Sequence, residues 1–264
     1  MHIDEANLHN LTQLWHKYGS KPVNVARLPL LQTNTQWPHR CWIDWRAQQD
    51  QGLEQLQGLI TDSLWEENLP KSTVFSLLPG MSVSNANTMH ASKYGQHNIE
   101  KMLIDNHWYC AFEQTAMYLP LHDETKHSPQ TRPGFKVKPA VTLNDIKDWI
   151  DISSKAFGYS IDLSVIQPLV NDTDIQLLIG WENDQAIAGG LLYKTDDIIG
   201  VHQIGVKPAF QGKGFAKSFM LDVIAACEQW QGKYVVLQAS QTGKPLYDSL
   251  EFKSQFLIKN FKRV

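Results

Sequence analysis

Residues Gly205–Met220 read GVKPAFQGKGFAKSFM. A β-type run reaches Pro208, two glycines follow at Gly212 and Gly214, and the apolar spacing of a helix then begins. A helix N-terminus leaves backbone N–H groups without internal partners, and its dipole places partial positive charge there. Glycines at such a junction let a phosphate approach those amides with no Cβ in the way. Gln211–Lys217, QGKGFAK, therefore has the chemistry of a diphosphate cradle, with Lys213 and Lys217 adding charge from the rim. It is not a P-loop, which needs G-x-x-x-x-G-K-[ST]. Nor is it the dinucleotide fingerprint, whose third glycine would stand where Lys217 does.

The flanking pattern agrees with a mixed α/β region. TLNDIKDWIDISSKAFG, from Thr142 to Gly158, predicts a helix with Thr142 as N-cap, and a second helical piece is bent at Pro168. IQLLIGW and AIAGGLLYK predict an antiparallel hairpin across ENDQ, and IIGVHQIGV a third strand leading into the glycine stretch. A helix from about Phe215 to Trp230, a strand YVVLQAS, a short helix GKPLYDSL and a strand SQFLIKNF follow. Upstream, NLHNLTQLWHKYG and GLEQLQGLITDSLWEEN have helical spacing, MSVSNANTMHASKYGQ predicts a loop, and HNIEKMLIDN a short helix. HRCWIDW, STVFSLLPG and WYCAFEQTAMYLPL read as strands. The polar, proline-containing residues 122–140 are expected to be a linker, with a smaller α/β region at 1–121 and a second region at 141–264.

Whole-chain properties narrow the partners. Lys and Arg number 24 against 27 Asp and Glu, so no general attraction to nucleic acid or an acidic membrane surface is expected. The opening MHIDEANLHNLTQLW lacks the basic and apolar regions of a signal peptide, and no apolar run approaches a membrane span. Cys41, Cys110 and Cys227 are odd in number and widely spaced, which argues against a disulfide framework or a zinc site. The expectation is a cytoplasmic protein without a metal, acting as a monomer or homodimer.

VKPAFQGKGFA, Val206–Ala216, resembles the V-x-P-x-x-[RQ]-x-x-G-x-[GA] motif of the GNAT superfamily of acyl-CoA-dependent N-acetyltransferases. Val206, Pro208, Gln211, Gly214 and Ala216 fill its specified positions. VVLQASQTGKPLYDSLEFK resembles that family's last conserved segment, a strand and short helix bearing a tyrosine. The resemblance covers about residues 140–264, and residues 1–121 are similar, more weakly, to a shortened GNAT-like half. It implies the GNAT α/β fold, a mostly antiparallel central sheet with flanking helices, with acetyl-CoA as co-substrate. The departures are Ser240 where the family often has Asn, Glu251 where it has Gly, and no acidic residue on the strand before the glycine turn.

The implied reaction moves an acetyl group from acetyl-CoA directly to a primary amine of a small molecule or peptide. By resemblance, the backbone of Ile204 and Val206 bonds the pantetheine arm. Amides from Gln211 through Gly212, Lys213, Gly214 and Phe215 to Ala216 hold the pyrophosphate, with Lys217 at the rim and Ser240 at the Asn position. Tyr247 matches the general acid. Strand alternation would put His202 on the face of Ile204 and Val206, making it the candidate base, with Tyr193 and Glu182 as alternatives. His107, Trp108 and Glu113 are expected to line a cleft. A non-catalytic acyl-CoA-binding module with a protein partner, or a transferase of a longer acyl group, are the alternative readings.

Overall fold

A computed structural model describes residues 2–23, 31–44, 69–70, 72–79, 100–121 and 132–263. The helix expected at 52–68 and the loop expected at 81–96 lie outside these residues. The chain divides into two compact units: residues 1–14 with 116–255, and residues 15–115 with 256–264. This departs from a division at residues 122–140, because the first helix and the last strand are shared out between the units. The second half of the expected linker is also a strand, β6 (Phe135–Pro139).

The first unit contains helix α1 (Ile3–Lys17) up to Leu14, and α2 (Leu143–Phe157). Thr142 caps α2 in a capping box: its side chain accepts from the Asp145 amide while the Asp145 carboxylate accepts from the Thr142 amide. Those bonds hold the Asp145 carboxyl below its usual range. Gly158, at φ 74°, ends the helix in the left-handed region. The second helical piece is α3 (Leu163–Ile166), which tightens into a 3₁₀ turn over Gln167–Asn171 at Pro168.

Strands β7 (Ile175–Glu182), β8 (Gln185–Thr195) and β9 (Ile198–Val206) form the expected antiparallel meander. Asn183 and Asp184, at φ 45° and 66°, make the two-residue turn of its first hairpin. Helix α4 (Phe215–Gln229), strand β10 (Tyr234–Ser240), helix α5 (Lys244–Asp248) and strand β11 (Lys253–Arg263) follow. With β5 (Trp108–Pro120), the strand order of this unit is β5-β10-β9-β8-β7-β6, with β6 to β9 antiparallel in turn and β9 and β10 parallel. Its main core sets α4 against one sheet face, with Phe219, Met220, Val223 and Ile224 packed among Ile199, Val201, Val206, Val235 and Leu237.

The second unit orders its strands β1 (Lys21–Pro22), β2 (Leu31–Thr33), β3 (Arg40–Ile43), β4 (Val74–Leu77), β11, β5. Leu31, Cys41, Phe75, Leu77, Leu103 and Phe261 make its core together with Trp108, so Trp108 is a packing residue. His107 and Glu113 are exposed in the same unit. Among the described residues no helix is long and apolar enough to cross a membrane.

Candidate active site

The site is built where β9 changes character. Gly189 pairs with Gly205 and Leu191 with His202, so Gln203 and Ile204 together face the single residue Gly190. This is a β-bulge, and Gln203 adopts φ 53° to make it. Opposite the bulge, the Gly190 carbonyl accepts a hydrogen bond from the Trp149 indole at 2.8 Å. A Cβ at Gly190 would lie 2.5 Å from the end of the Ile204 side chain and 3.0 Å from the Phe219 ring, so one of those side chains would have to shift.

The bulge reverses which residues share a face. Ile204 and Val206 pack with Phe219 on the α4 side, whereas Gly200 and His202 face Asn10 of α1, and Gly205 lies against Ala156 and Phe157 of α2. His202 is therefore not on the face of Ile204 and Val206, as strict alternation predicted. Its Nε2 lies 3.0 Å from Asn10 Oδ1, whose amide nitrogen donates to the Tyr193 carbonyl (2.9 Å) and the Thr195 hydroxyl (3.0 Å). The Asn10 oxygen thus acts as acceptor, so the imidazole carries its proton on Nε2. Burial lowers the imidazole pKa to about 3, against a smaller opposing contribution from a hydrogen bond with Gln238. Burial thus favours the neutral imidazole at physiological pH. Tyr193 is buried in the sheet. Glu182 lies on β7, paired with Phe135 of β6.

β9 and β10 part after Gly200, ahead of the bulge. Their parallel register joins Ile198–Gly200 to Tyr234–Val236, while Val201–Val206 and Leu237–Ser240 extend past it. At the end of the parted segment stands the glycine turn. Gly212 and Gly214 adopt φ 72° and 83°, a region costly for residues with a Cβ. The amides of Gly212, Lys213 and Gly214 donate to no group among the described residues. Phe215, Ala216 and Lys217 begin α4 directly behind them. The turn is pinned by Gln211, whose side-chain nitrogen donates to the Val206 carbonyl at 2.9 Å, and by Lys213, whose ammonium donates to the Ala209 carbonyl. Lys217 is exposed. Ser240, at the end of β10, accepts from the Gly243 amide at 3.0 Å and so shapes the entry to α5.

Tyr247 on α5 has its ring in the apolar cluster that contains Val206, Leu237 and Ala239, edge-on to Phe252. Burial pushes its phenol well above the usual range, so it is protonated at neutral pH. Its hydroxyl has no hydrogen-bond partner among the described residues, which leaves the proton available to a bound group.

One cation absent from the sequence reading joins the turn. Arg132 donates to the Lys213 carbonyl at 2.7 Å and lies 3.9 Å from the centroid of the Phe215 ring. Its charge sits at the positive end of α4, where the helix dipole opposes it and an anion would relieve it. Sequence spacing gives no hint of this, because Arg132 is 81 residues from the carbonyl it holds. The helix α1 contribution was equally hidden. Asn7 donates to Gln255 (2.6 Å) and the Met117 carbonyl (3.2 Å) and accepts from Gln238 (2.7 Å), fastening α1 over the His202 side of the fork.

A family model of the acetyltransferase (GNAT) domain matches residues 152–261. No match was found among curated proteins. Solved structures resemble the chain nearly end to end. A GCN5-related N-acetyltransferase from Kribbella flavida superposes with TM-score 0.61 at 12% identity, covering 99% of this chain and 94% of that one. A GCN5-related N-acetyltransferase from Sphaerobacter thermophilus gives 0.62 at 13% identity, covering 89% and 77%. A GNAT-family structure from Novosphingobium aromaticivorans gives 0.55 at 11% identity, covering 95% and 96%. These likenesses concern the fold. The family match takes in the bulge, the glycine turn and Tyr247, so residues 152–261 are similar to an acetyltransferase (GNAT) domain, and the solved structures share that fold.

Proposed function

We propose that the chain is an acetyl-CoA-dependent N-acetyltransferase acting by direct transfer on a primary amine of a small molecule or peptide. The observation that carries this reading is the row of free amides at Gly212–Gly214, opening α4 beside the parted strands β9 and β10. The residues fit coenzyme A. Free amides, the α4 dipole, Arg132 and Lys217 suit its phosphates, and the edge of β9 past His202 suits the amide groups of its pantetheine arm. Bound there, acetyl-CoA supplies an activated acyl group.

The chain's own residues do the rest. Gln211 holds the Val206 carbonyl and so orients the turn relative to the strand. The bulge at Gln203 and Ile204 leaves local backbone outside the β8–β9 ladder, free to align a carbonyl for attack. Tyr247, a phenol protonated at neutral pH, holds the proton that the departing thiolate takes up. His202 takes no proton in this scheme, and the amine loses its own to solvent.

The test is thiol release from acetyl-CoA over a panel of amines. Tyr247→Phe keeps the ring in its cluster and should lower kcat on the order of 10²-fold, with coenzyme A affinity by calorimetry unchanged. Full turnover in that variant would remove Tyr247 from the chemistry. Binding of coenzyme A with no thiol release for any amine would favour a non-catalytic binding module.

A further inference from the structure

The acceptor side of the bulge carries a pair of rings that the transfer reaction does not explain. Phe157 is the last residue of α2, and Gly158, at φ 74°, turns the chain so that Tyr159 projects from the same helix end. The two rings stack with centroids 5.6 Å apart and planes 11° from parallel. Both are large and apolar yet open to solvent, at 42% and 41% exposure. They are also fixed to the bulge. The Phe157 ring lies against Gly205, where an added Cβ would come within 3.3 Å, and the Tyr159 hydroxyl donates to Gln203 Oε1 at 3.0 Å. Gln203 is the residue held at φ 53°, and strain of this kind is kept where surrounding contacts over-determine it, often at functional sites.

Among the described residues, two other approaches to the bulge are filled. On one face Phe219 and its neighbours pack against Ile204. On the other, α1 seals His202 and Gln238 under the fully buried side chains of Asn7 and Asn10. Among the described residues, the stacked rings are the exposed chemistry that remains next to Gln203. Asp151, one helical turn and a half earlier on α2, is already neutralised by Lys155 (2.8 Å) and Lys207 (2.9 Å), so it offers no spare charge to a polycationic acceptor.

We propose that Phe157 and Tyr159, steadied by Gln203, form the acceptor platform, and that the acceptor's amine is carried on an aromatic ring that stacks there. The inference rests on the transferase reading for the identity of the bound amine as acceptor. It deepens that reading by naming the acceptor class.

The test uses the full chain with 2-phenylethylamine and its saturated analogue 2-cyclohexylethylamine, which match in charge and reach but not in aromaticity. Amine binding is followed by NMR saturation transfer and titration, with and without coenzyme A, and coenzyme A binding is measured separately by calorimetry. The aromatic amine should bind several-fold more tightly than the saturated one. Tyr159→Leu should weaken it about tenfold, as expected for loss of an aromatic contact with its buried area, with no change for coenzyme A. Tyr159→Phe keeps the ring and should keep most of the affinity. Equal affinity for the two amines, no binding of either, or an equal loss in Tyr159→Phe and Tyr159→Leu would overturn the platform. Failure to bind coenzyme A would instead sink the transferase reading, and the amine titration without it would still decide the platform.

Discussion

The two halves of β9 differ more than neighbouring segments of one strand usually do. Ile198–His202 pairs on both sides, with β8 throughout and with β10 at its start, and its polar residue is locked beneath α1. Gln203–Val206 bulges away from β8, runs past its register with β10, and ends at a turn of free amides. The first half keeps an unbroken ladder with β8, and the second interrupts it at Gln203 and Ile204 before pairing resumes at Gly205. A single extra residue at the bulge decides which side chains face which helix.

The turn that ends the second half offers the largest expected effect. Gly214 sits at φ 83°, where a β-branched residue is a genuine outlier. Gly214→Val should therefore swing the Gly214 amide and its neighbours out of alignment. Two lost charge-assisted hydrogen bonds at about 1.5–3 kcal/mol each would weaken coenzyme A by more than about 10²-fold. Calorimetry on a variant with a wild-type circular dichroism spectrum checks this, and retained affinity would detach the turn from the ligand.

The first half makes the opposite promise: His202 matters to stability and not to turnover. Its folded pKa of about 3 lies below the ordinary 6.5, so between those values the unfolded chain binds a proton that the folded chain refuses. Stability is then full above about pH 6.5 and declines as the pH falls. From pH 7 to 5 the loss from this residue is on the order of 2 kcal/mol. Denaturant titrations should show that His202→Gln, which cannot titrate, loses less than wild type over that interval. An equal loss in both would mean that the imidazole is not held neutral.

These two outcomes bear on what the sequence could reveal. The glycine turn, the capped helix at 143–157 and the meander were legible because each rests on local chemistry: φ-permissive glycines, an N-cap with its acidic N3 partner, and alternation in short strands. The face of His202 was not, since alternation assumes an unbroken ladder and Gln203, a non-glycine at positive φ, carries no mark of a bulge. Long-range partners were invisible for a different reason. Asn10 is separated from His202 by 192 residues, so no spacing rule connects them. The division of the chain failed to follow residues 122–140 because compactness depends on such contacts and not on composition.

Arg132 sharpens the comparison at intermediate scale. If it supports the binding half, Arg132→Ala should weaken coenzyme A about tenfold, less than a buried charge-assisted bond because the guanidinium is partly open to solvent. Pantetheine, which lacks the phosphates, should bind the variant and the wild type equally. A matching loss for both ligands would make Arg132 a support of the turn's shape alone.

The smallest effect tests whether the strain at Gln203 is special. Glu251 also holds a positive φ, 65°, at the exposed turn between α5 and β11 where glycine is the common residue in the family motif. Unlike Gln203, whose side chain accepts from Tyr159, its side chain makes no hydrogen bond or ion pair among the described residues. A left-handed residue costs roughly 1–2 kcal/mol, and glycine returns part of that through the greater freedom of the unfolded chain. Glu251→Gly should therefore raise stability by about 0.5–1 kcal/mol in denaturant titration. Gln203→Gly relieves similar strain but removes the bond to Tyr159, and should give no net gain. If both variants were stabilised equally, the bulge would be an ordinary turn in a strand, and the contrast between the two halves of β9 would rest on the parted register and the free amides alone.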